Sequence, residues 1–114
     1  MREGKALFVL LLGIGLAAPA HAADSAPTSG AGLSGEALYR EKTCIACHGA
    51  DARSPILPTY PKLAGQNADY LYHQAQDIKS GARANGNAMA MKGVMHLVND
   101  DELRAISNWL AGLD

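Results

Sequence analysis

Apolar and polar positions along this chain sort into helical stripes. Leu71, Ala75 and Ile78 stand at i, i+4 and i+7, the spacing of a helix with one buried face. Asn67 ahead of them offers an N-cap, and Asp69 sits in the first turn, where a carboxylate is favourable. Lys79 falls in the last turn and Gly81 can take the left-handed position beyond it. The pattern predicts a helix from about Ala68 to Ser80. Leu103, Ile106, Trp109, Leu110 and Leu113 mark the apolar face of a second helix. Asn99 and Glu102 open it as a capping box, with Asp100 and Asp101 in the first turn. A shorter stripe, Ala37, Leu38 and Tyr39, follows Ser34 and predicts a helix from about Gly35 to Lys42. No run alternates with period two for long enough to make a strand. The class is all-α, with three main helices.

Between these helices lie two long segments. Gly49 to Gln66 contains Pro55, Pro58 and Pro61, and proline fixes φ and removes a donor, so a loop is expected. Gly81 to Val98 holds three glycines and the methionines Met89, Met91 and Met95 and also reads as loop. Each connection runs about 17 residues, long for a compact domain unless something functional organises it.

The N-terminal stretch does not read as fold. Arg2 and Lys5 precede the almost wholly apolar run Leu7 to Leu16, and Ala20-His21-Ala22 follows. Basic start, apolar core and small-x-small site are the order of a secretory signal peptide. The apolar core is about ten residues, short of the roughly 20 that span a bilayer as a helix. The expected organisation is a signal peptide over 1–23, a flexible Ala/Ser/Gly/Pro-rich leader over 24–33 and a folded domain over 34–114. No second apolar run exists, so no membrane span is expected after cleavage.

From Asp24 on, eight Lys and Arg face ten Asp and Glu. No basic stripe supports nucleic-acid binding. A folded part of this size needs help to build a core. That brings the cysteines forward.

Both cysteines lie within Cys44-Ile45-Ala46-Cys47-His48. A disulfide there would close a tiny loop and constrain the unfolded chain little. A thioredoxin-like pair belongs beside a βαβ pattern, which is missing. Zinc wants four ligands; His73 or His96 could be recruited, but no second cysteine pair exists. Cys-x-x-Cys-His is instead the signal for a c-type haem: the two thiols add to the vinyl groups, and the next histidine is held at the iron as an axial ligand. One covalent haem c would also organise the long loops and supply the core that the short helices cannot.

Several stretches resemble the class I cytochromes c, most closely a single haem domain of the bacterial cytochrome c4- and c5-like (c553-type) group. They are Gly35-Glu36-Ala37-Leu38-Tyr39, Thr43 to Asp51, Tyr60-Pro61-Lys62-Leu63-Ala64-Gly65-Gln66, Tyr70-Leu71, Asp77 to Arg83 and Asn99 to Leu103. The resemblance implies the small class I fold, with three main helices and long loops wrapped around the haem. It implies Cys44 and Cys47 as attachment points, and His48 and a methionine as iron ligands. It places that methionine eight positions before the final helix cap, at Met91. Met89 and Met95 are the other contenders, Met95 being better suited to packing, and His96 is a minor one. The resemblance also gives Pro61 as the carbonyl that receives the His48 Nδ1–H, a role weighed against that of an ordinary loop proline. Leu63 would pack on the haem, and Tyr39 and Trp109 would join the first and last helices. Two departures stand out. Cytochrome c4 is a tandem of two such domains and this chain has room for one. The Met-x-x-Met pair usual before the last helix reads here Met91-Lys92-Gly93-Val94-Met95.

The function expected from this reading is single-electron transfer in the periplasm by a His/Met-ligated monohaem cytochrome, with redox proteins docking at the haem edge. With both axial positions filled, no enzymatic chemistry is expected. A cytochrome subunit of a periplasmic dehydrogenase or oxidase is the alternative. A ligand-binding or peroxidatic haem protein, with an open sixth position, is the third. Oligomeric state is not legible.

Overall fold

The computed structural model describes residues 32–114, together with Gly13 and Gly15. The signal-peptide expectation and most of the leader lie outside the described residues. Five helices and no strand occur among those described: α1 (Gly35–Glu41), α2 (Cys44–His48), α3 (Ala68–Ser80), α4 (Ala88–Met95) and α5 (Asp100–Ala111).

The three expected helices form where their caps and stripes place them. Ser34 Oγ accepts from the Ala37 amide, and Asn67 accepts from the Tyr70 amide. Asn99 and Glu102 complete a reciprocal capping box. Each arrangement satisfies amides that a helix start leaves without partners. α3 stops at Gly81, whose φ of +90° lets its amide turn back to Asp77 and Ile78. That left-handed conformation costs glycine no Cβ clash.

α1, α3 and α5 make the frame. Leu38 and Tyr39 of α1 are each 1% exposed, and Leu71, Ala75, Ile78, Leu103, Ile106 and Leu110 complete the core beside them. α5 packs on both α1 and α3. At the α1–α5 crossing, the Tyr39 and Trp109 rings meet with centroids 5.1 Å apart, within the range of favourable tilted aromatic pairs. Gly35 sits at the closest approach: a Cβ there would lie 2.3 Å from the Ala105 carbonyl oxygen and 2.5 Å from Trp109 Cβ. Arg104 ties α5 to α3, reaching Asp69 at 2.7 Å and lying 3.7 Å above the Tyr72 ring.

One segment departs from expectation. Gly81 to Val98 reads as loop but contains α4. Gly81 and Gly86 fall outside α4, and Gly93, inside it, is exposed. The remaining Ala and Met residues are good helix formers. Ala88, Met91 and Met95 stand at i, i+3 and i+7: Ala88 and Met95 are buried and Met91 is partly so. That stripe turns α4 onto α3. The glycines around it mask the periodicity in the sequence.

Candidate haem site

Cys44 to His48 forms a single helical turn set directly after α1. Thr43 makes the corner with φ +66°, a costly conformation for a β-branched residue. Its carbonyl then accepts from the Ala46 amide at 3.1 Å. Cys44 is buried and Cys47 half-buried, and both are free thiols. The Cys44 Sγ lies 3.9 Å from the Lys42 carbonyl. Burial, and to a smaller degree the neighbouring Cys47, pushes the Cys44 thiol up to about 11.

His48 is 5% exposed. Its Nδ1 lies 3.0 Å from the Pro61 carbonyl oxygen, so Nδ1–H donates and Nε2 is the nitrogen left for a metal. Burial lowers the His48 pKa, and the Pro61 carbonyl partly offsets this. Burial favours the neutral imidazole and the Pro61 bond fixes its tautomer, with Nε2 free to coordinate iron.

The proline loop earns its order from backbone bonds. Asp51 accepts from the amides of Arg53 and Ser54, each at 2.9 Å, and from the Ser54 hydroxyl at 3.0 Å. Those amide bonds hold its carboxyl below the usual range. The fully buried Ala52, at φ +56°, offers its carbonyl to the amides of Leu63 and Ala64. The Ile56 amide donates to the Cys47 carbonyl at 3.0 Å, and the Gly65 amide to Leu110 at 2.9 Å. Tyr39 Oη donates to the Gly49 carbonyl at 2.7 Å. The loop is thereby stapled to α2, α1 and α5, and Pro61 is delivered to His48. Asn87 Nδ2, just before α4, donates to Thr59 Oγ1 at 3.1 Å and joins this loop to the methionine segment.

The three methionines occupy different environments on α4. Met95 is 2% exposed and belongs to the core, Met89 is 59% exposed, and Met91 is partly buried against the core edge. α2 packs on α1 and α4 on α3, so the segments carrying His48 and Met91 are held by different partners. Leu63 is partly buried, while Ile56 and Leu57 are exposed at 63% and 45%. Two unpaired thiols one helical turn apart, an imidazole with Nε2 uncommitted and apolar surfaces on two loops fit a covalent haem. His73 and His96 are exposed. A polar cavity of about 270 Å³ lies among Lys42, Lys79, His96 and Glu102; none of the four candidate haem residues lines it.

Sequence reasoning missed two features. Glu102 does more than cap: its other carboxylate oxygen lies 3.2 Å from Lys42 Nζ, with both side chains nearly buried. No periodicity announces a pair 60 positions apart. The Asp51 turn was findable, because an Asp ahead of Arg-Ser-Pro is a local signature for a side chain that bonds amides two and three residues on.

A fold of short helices around Cys-x-x-Cys-His with an anchored histidine defines a c-type cytochrome domain. A sequence model described as Cytochrome c matches residues 33–114, and the chain belongs to the cytochrome c family. Cytochrome c4 of Pseudomonas aeruginosa is 41% identical over 107 residues, covering 94% of this chain and 47% of the relative. Cytochrome c-554(548) of Halomonas halodenitrificans is 37% identical over 65 residues, covering 57% of this chain and 77% of that protein. The crystal structure of reduced recombinant cytochrome c4 from Pseudomonas stutzeri aligns with a TM-score of 0.62 at 33% identity, over 70% of this chain and 46% of the other. The chain therefore spans about half the length of the cytochrome c4 relatives it matches. Class I, all-α and c4/c5-like describe its type, and covalent haem c with iron is the cofactor of the family.

Proposed function

We propose that this chain is a periplasmic single-electron carrier holding one haem c on Cys44 and Cys47, with His48 and Met91 as the axial ligands. The observation that carries the reading is His48. It is buried, set on the same turn as two free thiols, and anchored through Nδ1 to Pro61. When bound, the haem supplies an iron that alternates between ferrous and ferric, and a thioether opposite a histidine favours the ferrous form relative to two histidines. The chain's own residues do the rest. Pro61 fixes the imidazole, Leu63 and the α4 side chains exclude water, and the Asp51 turn and the Tyr39 hydrogen bond hold the loop in place.

Intact mass and an optical spectrum of protein exported to the periplasm test this. The expected result is one haem's added mass, an N-terminus near Ala23, and the weak red band of methionine on ferric iron. Met91→Ala should abolish that band, while Met89→Ala should keep it. Carbon monoxide should not bind rapidly to the reduced protein at neutral pH; rapid binding would make the site a ligand-binding one and sink the carrier reading. A cytochrome subunit of a periplasmic dehydrogenase or oxidase is the second reading. The exposed Ile56, Leu57 and Met89 favour it, since apolar residues left in water beside a site mark contact surfaces.

A further inference from the structure

Four helix ends meet at the polar cavity of about 270 Å³. Lys42 closes α1, Lys79 stands in the last turn of α3, His96 closes α4, and Asn99 and Glu102 open α5. The proposed haem ligation uses none of these side chains. Lys42 and Glu102 are nearly buried, with side chains 11% and 4% exposed, and Lys79 is half-buried. The charged groups that line the cavity are these two ammoniums and one carboxylate, a net of +1. Asp100 lies outside the lining. It is 65% exposed and reaches Lys79 Nζ only at 4.0 Å, so water screens its charge.

The donors and acceptors of the lining do not balance among themselves. Glu102 Oε2 accepts from the Asn99 amide at 3.0 Å. Glu102 Oε1 is buried and accepts no hydrogen bond from the chain. Lys42 Nζ stands 3.2 Å from it as an ion pair, outside hydrogen-bond alignment. Lys79 Nζ gives one of its three donors to the Val98 carbonyl at 2.7 Å. A buried acceptor without a donor costs free energy, and the ammoniums hold donors to spare. A ligand that completes this site brings acceptor oxygens to the lysines and a hydrogen to Glu102. The net +1 selects an anion. The volume lies below the roughly 300–1,000 Å³ of sites for drug-sized ligands, so the anion is small.

We propose that this cavity binds a small oxyanion that keeps a hydroxyl, free hydrogenphosphate being the member that fits. Its bare oxygens accept from Lys42 and Lys79, and its hydroxyl donates to Glu102 Oε1. His96, exposed beside them, adds a ring N–H at the rim. Sulfate has the same shape and carries no hydrogen at neutral pH. It would set an oxygen against the Glu102 carboxylate, and that clash makes the site selective. The site is independent of the carrier reading, since no step of electron transfer enters it.

Titration of ¹⁵N-labelled, haem-loaded protein with sodium phosphate and with sodium sulfate tests this, at neutral pH and a constant ionic strength of about 100 mM. Phosphate should shift the amides of 42–43, 79 and 96–102 saturably. Sulfate should bind about tenfold more weakly, because a hydrogen bond to a charged group is lost. Glu102→Gln replaces the carboxylate by an amide that can donate, and should bring sulfate level with phosphate. Lys79→Gln should weaken both anions several-fold and keep the preference, so it carries the test where Glu102→Gln does not fold. Arg40→Gln, on the exposed side of α1, should change neither. No saturable shift with phosphate overturns the site. Equal binding of the two anions by the wild type overturns it as well, because Glu102 then selects nothing. So do phosphate shifts centred on Arg53 to Lys62 instead of the four helix ends.

Discussion

The α1–α3–α5 frame and the two segments that carry Pro61 and Met91 are held together by different forces. In the frame, order comes from burial: each helix turns a stripe of apolar side chains inward and closes its ends with caps. In the other half, side chains such as Ile56, Leu57 and Met89 point to water. In the proline segment, order comes from single backbone bonds, among them Ile56 to Cys47, Leu63 and Ala64 to Ala52, and Gly65 to Leu110, while α4 in the other segment also buries Ala88 and Met95 against α3. A net intramolecular hydrogen bond contributes only about 0.5–1.5 kcal/mol, whereas a buried leucine contributes about 1.5–3 kcal/mol. The loop half is therefore the weaker one, and on the proposed reading it relies on the haem for its core.

The sharpest way to break this comparison is to remove the attachment. Cys44→Ala with Cys47→Ala should yield a chain without the haem's mass. It should also show no cooperative thermal transition by circular dichroism, because a core of this size lacks its centre. A sharp transition that persists would mean the frame stands alone and the loops do not need the cofactor.

The next largest effects separate the methionines of α4. Met95 is core, so Met95→Ala should cost about 2–5 kcal/mol in chemical denaturation and keep the methionine-to-iron band. Met91→Ala should do the reverse, losing the band at a smaller stability cost. Equal effects on both readouts at both positions would erase the division of labour along α4.

The same division explains what was legible in the sequence. Caps and stripes are local, so Ser34, Asn67, Gly81 and the Asn99–Glu102 box could be read directly, and three helices stand where they were expected. Cys44 to His48 was legible because thioether attachment and axial ligation demand fixed neighbours. α4 was hidden because the glycines around it resemble loop punctuation. The Lys42–Glu102 pair and the Thr59–Asn87 bond were hidden because each joins residues distant in sequence. Gly35 belongs to the same hidden class. It permits the close α1–α5 approach. Gly35→Ala should push α5 away from α1 at Ala105 and Trp109 and cost about 1–3 kcal/mol, the usual scale of overpacking. No change in midpoint would show that the crossing has slack.

Tyr39 belongs to both halves, and its replacement has the smallest expected effect. Its ring sits in the frame against Trp109, and its hydroxyl reaches out to the loop at Gly49. Tyr39→Phe keeps the ring and removes the bond, which should cost about 0.5–1.5 kcal/mol. Burial, aided by the charges of Cys44 and Asp51 and opposed by Arg40, pushes the Tyr39 phenol up from 10.0 to about 12. In the haem-loaded protein Cys44 would be a thioether with no charge to lend, but burial, the largest cause, remains. A phenol whose pKa is raised on folding stabilises the native state fully below its unfolded value. That contribution is then lost as pH rises through the folded value. Wild-type stability should therefore decline between pH 10 and 12 more steeply than that of Tyr39→Phe, and the gap between them should narrow over that window. Parallel denaturation curves across it would show that the hydroxyl reaches water, and that the loop is not anchored to the frame through Tyr39.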